Sequence, residues 1–285
     1  MLEKLEEYHI PQTIAEAVRL LRRRSGGETV AITGAIDLHW WRLQSARRFV
    51  DTSRLGLDRI RLDRSGLHLG AATLLADIVT SKVAARFAGG LLVQGALGLA
   101  SPPRRHTTSL AALLINAVPV VDILPALMAL DAKVRVKGAR QRTIPLTELF
   151  AGKGRTVLDR ELLLEVVVPK PRGRIGVALE RHALTPSDDP MLTAVATVQL
   201  SRGKIARATI ALGGGLSVPV RCPKAEAELV GKAPDLGIFA CAAHGVAESI
   251  HPISDTRCSA EHRRDVCKVI VRRALARAAG REEPR

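Results

Sequence analysis

Aromatic side chains are almost missing: Phe, Trp and Tyr together make up 2% of the 285 residues, with a single Tyr. So few rings leave no platform for stacking unpaired bases, the usual device of single-strand nucleic-acid binders. Ala, Val, Leu and Ile must fill the interior of a chain whose hydrophobic share is 47%. Cysteine is scarce as well. The 4 present, Cys222, Cys241, Cys258 and Cys267, lie in the C-terminal quarter without a CxxC pair. Such spacing excludes a zinc knuckle or an iron-sulfur site built by this chain, and reduced thiols in a cytoplasmic protein are the expectation. No apolar run is long enough to span a bilayer, because Asn116, Pro119, Asp122 and Pro125 interrupt the most apolar one, Ser109 to Leu130. The opening MLEKLEEYHIP is acidic and has no apolar core, so no signal peptide is expected there. No segment repeats at a fixed period or is low in complexity.

Acidic groups are the minority, 28 against 43 Lys plus Arg, which gives a net charge of +15. That excess attracts any acidic partner at long range. Its carriers are scattered in short clusters, at Arg22 to Arg24, Arg104 to Arg105 and Arg263 to Arg281, and form no dense stripe. A nucleic-acid-binding function is therefore not expected.

What is present suits two modest domains, each with its own core. Thr13 to Glu16 forms a capping box for a helix whose apolar face is Ala17, Val18, Leu20 and Leu21. Thr29 to Thr33 is a buried strand running into Gly34 to Leu38, with a helix expected from His39. Phe49 to Asp51 is a strand. Asp58 to Leu62 and Leu67 to Gly70 form a hairpin around Asp63 to Gly66. Thr73 is the expected N-cap for a helix over Leu74 to Ser81, and a second helix covers Gly90 to Ala100. A hairpin, Lys133 to Lys137 with Arg142 to Pro145, precedes a short helix at Leu146 to Phe150. A domain boundary falls in the Pro- and Gly-rich Pro169 to Gly173. Three strands follow, Gly176 to Arg181, Met191 to Leu200 and Ile205 to Leu212, then helices at Pro223 to Val230, Gly237 to Ser249 and Ala260 to Ala279.

The stretch with the richest chemistry is Arg104 to Ala132. Two arginines, the hydroxyls of Thr107, Thr108 and Ser109, and the small Ala111 and Ala112 lead through a turn at Asn116 to Pro119 into an apolar helix behind Asp122. Small residues let a backbone approach a ligand, hydroxyls and amides hold phosphate oxygens, and Asp122 accepts from donors on a sugar or ring. Equally, the stretch reads as a plain helix entry, with Asp122 capping the first turn and Leu124, Leu127 and Leu130 in the core. No Ser, His and Asp stand in triad order.

Taken together, Pro11 to Leu21, Leu69 to Asp77, Pro119 to Ala132, Gly213 to Glu228 and above all Pro252 to Arg263 resemble the medium, flavin-carrying subunit of the molybdenum hydroxylases. That family contains xanthine dehydrogenase and aerobic carbon monoxide dehydrogenase. The last run is similar to the family's PxSDxRGSAEYR, with Cys258 for Gly and His262 for Tyr. The resemblance implies an α+β fold, with a two-lobed FAD-binding domain of the vanillyl-alcohol oxidase type over residues 1–168 (lobes about 1–52 and 53–168). A C-terminal domain over 174–285, a three-stranded sheet with helices, follows. It also implies partners: a large subunit with the molybdenum cofactor (molybdopterin) and a small one with 2Fe-2S centres, assembled as a dimer of heterotrimers. FAD would carry electrons from the 2Fe-2S centres to an acceptor, and no catalytic residue is demanded of this chain.

In that family FAD meets two loops, AGGTD and RNxATIGGNxxNASPxxD. Here the first reads Thr33-Gly34-Ala35-Ile36-Asp37, and the second carries Ser109, Ala111, Ala112 and Leu113 where the family has Thr, Gly, Gly and Asn, with Asp122 retained. By resemblance these ten residues are the candidate cofactor-binding set. If Ala35, Ala111 or Ala112 sat at positive φ, each would cost roughly 1–2 kcal/mol. Each lost hydrogen bond to a charged group removes roughly 1.5–3 kcal/mol. Two functions stay open: an FAD-binding electron-transfer subunit, and a flavin-free structural subunit of the same kind of complex. Arg181 falls near where the family supplies a basic group to the flavin, but a solvated strand end is the expectation. His244, His251 and His262 match no metal-ligand spacing and are expected at the surface.

Overall fold

The computed structural model describes residues 5–23, 27–33, 46–99, 101–117, 121–152 and 155–281. Its first lobe is a parallel sheet of β1 (Glu7–His9), β2 (Glu28–Ile32) and β3 (Ala46–Asp51), with β3 in the middle. Helix α1 (Ile14–Leu21) packs on it. Thr13 Oγ1 accepts from the amide of Glu16 at 3.2 Å, while Glu16 reaches back to the amide of Gln12 at 3.0 Å, one residue earlier than in the standard capping box. Ala17, Val18 and Leu21 then bury against Val50 and Leu162.

The second lobe holds an antiparallel sheet in the order β4-β5-β10-β6-β7. Its strands are β4 (Ile60–Leu62), β5 (Gly66–Gly70), β6 (Lys133–Lys137), β7 (Gln141–Pro145) and β10 (Leu162–Pro169), with a small ribbon of β8 (Phe150–Gly152) and β9 (Arg155–Thr156) alongside. Central β10 has no counterpart in the sequence expectations. Its run LLLEVVVP lacks a period of two because both faces are covered: Leu162 by the first-lobe cluster, Leu163, Val166 and Val168 by the principal core. At the β4-β5 turn Gly66 has φ +148°, and a Cβ there would stand 2.0 Å from the carbonyl oxygen of Val168. Gly66→Ala is expected to lower stability by about 1–3 kcal/mol in urea unfolding.

Short helices cover this sheet: α2 (Leu75–Thr80), α3 (Lys82–Arg86), α4 (Leu91–Leu97), α5 (Pro102–Arg105), α6 (Leu110–Ile115), α7 (Ile123–Ala129) and α8 (Leu146–Leu149). Thr73 is not the cap of α2. The cap position falls to Leu74, whose amide donates to Asp77 at 3.1 Å, and the Thr73 hydroxyl is buried without a hydrogen-bond partner.

The C-terminal part is an antiparallel sheet of β11 (Gly176–His182), β12 (Leu192–Ser201) and β13 (Lys204–Gly214), to which the two-residue β14 (Val220–Arg221) adds a fourth strand. Helices α9 (Pro223–Leu229), α10 (Leu236–Ser249) and α11 (Ala260–Ala278) cover one face. The other face receives α7, and Val195 and Ala211 join the principal core of the second lobe. Packing therefore runs continuously past the Pro169 to Gly173 stretch. Among the described residues no helix is long and apolar enough to cross a membrane.

Candidate functional site

The first question about α6 is where its opening amides point, since the first turn of a helix leaves donors unpaired inside the helix. The amide of Leu110 donates to the Thr73 carbonyl at 3.0 Å, that of Ala111 to the Ala71 carbonyl at 2.8 Å, and that of Leu113 to the Ser109 carbonyl at 3.2 Å. Ser109 caps the helix, its hydroxyl accepting from the amide of Ala112 at 3.2 Å, and it is fully buried. A bridge between Leu74 and Ser109 holds this junction to the entry of α2. Ala111 and Leu113 lie in the principal core, at 4% and 3% exposure. Neither Ala111 nor Ala112 has positive φ, so alanine adds no backbone strain here.

The remaining candidates are dispersed. Thr33 directly follows β2, and its hydroxyl meets that of Thr52 at 2.5 Å. Gly34, Ala35, Ile36 and Asp37 lie outside the described residues. Asp122 precedes α7 without making a side-chain cap bond, and its carboxylate turns to the C-terminal sheet. There it accepts from Arg181 Nε at 2.9 Å and, through a short bond, from the Thr193 hydroxyl. Burial pushes the Asp122 carboxyl above its ordinary value, against the bonds from Thr193 and Arg181 that favour the anion. Nor is Arg181 a solvated strand end. It also donates to the carbonyls of Pro186 and Asp188, so its charge is spent inside the protein. Gly98 makes room for this pair, since a Cβ there would stand 2.1 Å from Asp122 Oδ2.

Two further arginines, the buried Arg263 and the half-buried Arg221, lock the C-terminal part. Arg263, with 0% exposure, donates from Nε to the Met191 carbonyl at 3.0 Å, from Nη2 to Asp255 at 2.8 Å, and from Nη1 to the Ile253 carbonyl. Asp255 also receives the Arg257 side chain at 3.1 Å and the Arg257 amide at 2.9 Å. Burial opposes ionisation of Asp255, but the bonds from Arg263 and Arg257 outweigh it and hold the carboxyl well below its usual range. The Pro252 to Arg263 run is thus a structural bracket. Arg221 grips Glu226, reaches Asp131 at 2.9 Å and caps the end of α7 through the Met128 carbonyl at 3.1 Å. Sequence reasoning missed both arginines, because a basic residue in a basic chain carries no sign of its burial.

A cleft of about 470 Å³ opens between the lobes, lined by Leu21, Arg23, Thr29, Ile115, Thr156 and Arg160, with Glu28, Asp159 and Glu161 at its wall. Both signs of charge meet there. Among the described residues no group of His, Cys, Asp and Glu is placed to hold a metal ion. His244 pairs with Glu248 at 3.1 Å on the surface of α10, as expected for an exposed histidine. His262 faces His182 with Nε2 atoms 3.4 Å apart. A dinucleotide needs free donors for its diphosphate. The backbone amides at α6 do not supply them, and the unpartnered hydroxyls of Thr73 and Thr108 beside it are fully buried, so in this respect the described residues do not fit the group that the resemblance implies.

A two-lobed domain with a parallel and an antiparallel sheet, followed by an antiparallel sheet under three helices, defines a class. Residues 3–171 match the family described as FAD binding domain in molybdopterin dehydrogenase, and residues 185–278 match the CO dehydrogenase flavoprotein C-terminal domain. The chain belongs to this family, the FAD-binding medium subunits of the molybdenum hydroxylases. Among its relatives, the 6-hydroxypseudooxynicotine dehydrogenase complex subunit alpha of Paenarthrobacter nicotinovorans is 30% identical over 286 residues, 98% of this chain and 96% of that protein. The carbon monoxide dehydrogenase medium chain of Afipia carboxidovorans is 30% identical over 284 residues, 96% and 97% of the two chains. The solved carbon monoxide dehydrogenase of Hydrogenophaga pseudoflava, in a form lacking the Mo-pyranopterin moiety, superposes with a TM-score of 0.89 at 26% identity, covering 98% of this chain and 99% of that one.

Proposed function

We propose that the chain is the medium subunit of a molybdenum hydroxylase-type oxidoreductase complex in the cytoplasm. It would assemble with a large subunit carrying the molybdenum cofactor and a small subunit carrying 2Fe-2S centres, on the acceptor side of those centres in the electron-transfer order. The observation that carries the reading is the end-to-end superposition on a carbon monoxide dehydrogenase chain, with both lobes and the C-terminal part in place. The Asp122–Arg181 pair and the half-buried Arg221–Asp131 pair support it, because they tie α7 to the C-terminal sheet and join the two parts that the family matches. A division into domains over 1–168 and 174–285 accords with the two family matches, although their core is shared. Of the cofactor-binding set proposed from the resemblance, Thr33, Ser109, Ala111, Ala112, Leu113 and Asp122 lie among the described residues. The positive charge is read as serving an acidic partner subunit.

Affinity purification of the tagged chain from its native host tests this. Two further subunits are expected, with molybdenum and iron in the same fraction and a mass fitting a dimer of heterotrimers. Recovery of the chain as a lone monomer would count against the reading.

A further inference from the structure

We infer that the diphosphate seat at the start of α6 is closed, so that this subunit takes its place in the complex without a tightly held FAD; the inference rests on the medium-subunit reading above. The argument is an accounting of donors. Each amide from Leu110 to Leu113 already has an acceptor within the protein, and one of these is the Ser109 hydroxyl that would otherwise serve a phosphate. Recruiting any of them means breaking a bond that holds α6 to the turn at Ala71 to Thr73 or closes its first turn. At six residues, α6 has little aligned dipole to offer an anion in return.

Side chains close the seat further. Ala111 and Leu113 belong to the core, and Ser109 has no exposed surface. Leu113 offers a phosphate nothing to bond. Two of the cations nearby are committed, Arg181 to Asp122 and Arg105 to the Leu99 carbonyl at 2.6 Å, while the exposed Arg104 faces the exposed Asp189 at 4.0 Å. Nothing is strained in return, since Ala111 and Ala112 sit in ordinary helical backbone. The backbone donors of the segment are satisfied within the protein, and the two hydroxyls beside it that lack a partner, those of Thr73 and Thr108, are fully buried.

Flavin content of the native complex decides the matter. After purification with its partner subunits, the complex is heated and the released FAD is quantified against the chain; substoichiometric flavin is expected. FAD is then titrated into wild-type complex and into a complex bearing Ala111→Gly, Ala112→Gly and Leu113→Asn, following quenching of flavin fluorescence. The side-chain amide of Leu113→Asn adds one donor for a charged group, and binding is expected to tighten about 10-fold. One FAD per chain in intact wild-type complex, surviving dialysis, would overturn the inference and leave the medium-subunit reading standing. A lone monomer overturns that reading instead, and titration of the chain itself still reports whether the seat is closed. Should the triple variant fail to assemble, the wild-type content and titration decide alone.

Discussion

Arg263→Ala is expected to be the most damaging single change in the chain, lowering stability by about 5 kcal/mol in chemical or thermal unfolding. Two costs add. Truncation leaves a cavity beside Gly215, where Arg263 lies so close that a Cβ on the glycine would stand 2.0 Å from Nε. It also takes the guanidinium donor from the Ile253 carbonyl, and one donor each from the Met191 carbonyl, which keeps the Gly215 amide, and the Asp255 carboxylate, which keeps Arg257. Arg263→Lys is expected to recover only part of the loss, because an ammonium group cannot span three acceptors in the fixed geometry of a guanidinium. The pH dependence follows from the sign of the Asp255 shift. Its folded value lies below the ordinary 3.8, so its contribution is present above that value and lost as pH falls through the lower folded one. In Arg263→Ala that acid-sensitive part of the stability shrinks. A pH series of urea midpoints for both proteins checks it, and an unchanged profile would mean that Asp255 draws its stabilisation elsewhere.

Asp122→Ala is expected to cost about 3 kcal/mol, since it leaves Arg181 as a mostly buried charge with no carboxylate opposite. The double variant Asp122→Ala, Arg181→Met should be the more stable of the two, because the stranded charge is gone. A double variant less stable than the single would contradict this account of the pair. The pH behaviour has the opposite sign to that of Asp255. Burial raises the folded value of Asp122 above the ordinary 3.8, so its contribution is present below that value and lost as pH rises through the folded one. In Asp122→Asn that gain on acidification is absent. Its deficit relative to wild type is therefore expected to widen from about pH 7 to about pH 4, read from unfolding midpoints.

Elements with a local signature were legible from residues alone. The Thr13 and Glu16 cap, the Asp63 to Gly66 hairpin turn, strands β11 to β13 and helices α9 to α11 lie where periodicity and turn chemistry put them, within a residue or two at their ends. β10 was not legible, because a strand covered on both faces carries no alternation. The caps at α2 and α7 were misread for a related reason. Thr73 and Asp122 have the right residue type at the right spacing, yet the backbone at Leu74 found Asp77, and the Asp122 carboxylate found Arg181 across the sheet. Cap chemistry is local, but the competition for a side chain is not.

Sequence alone settled the family, through segments such as Pro252 to Arg263 whose residues answer to packing and buried charge. It also marked the departure at Ala111, Ala112 and Leu113. Where the amide hydrogens of α6 point was not written in those residues. Only the folded chain decided it, because the acceptors at Ala71 and Thr73 lie some forty residues away along the backbone and meet α6 only when the second lobe closes around its core.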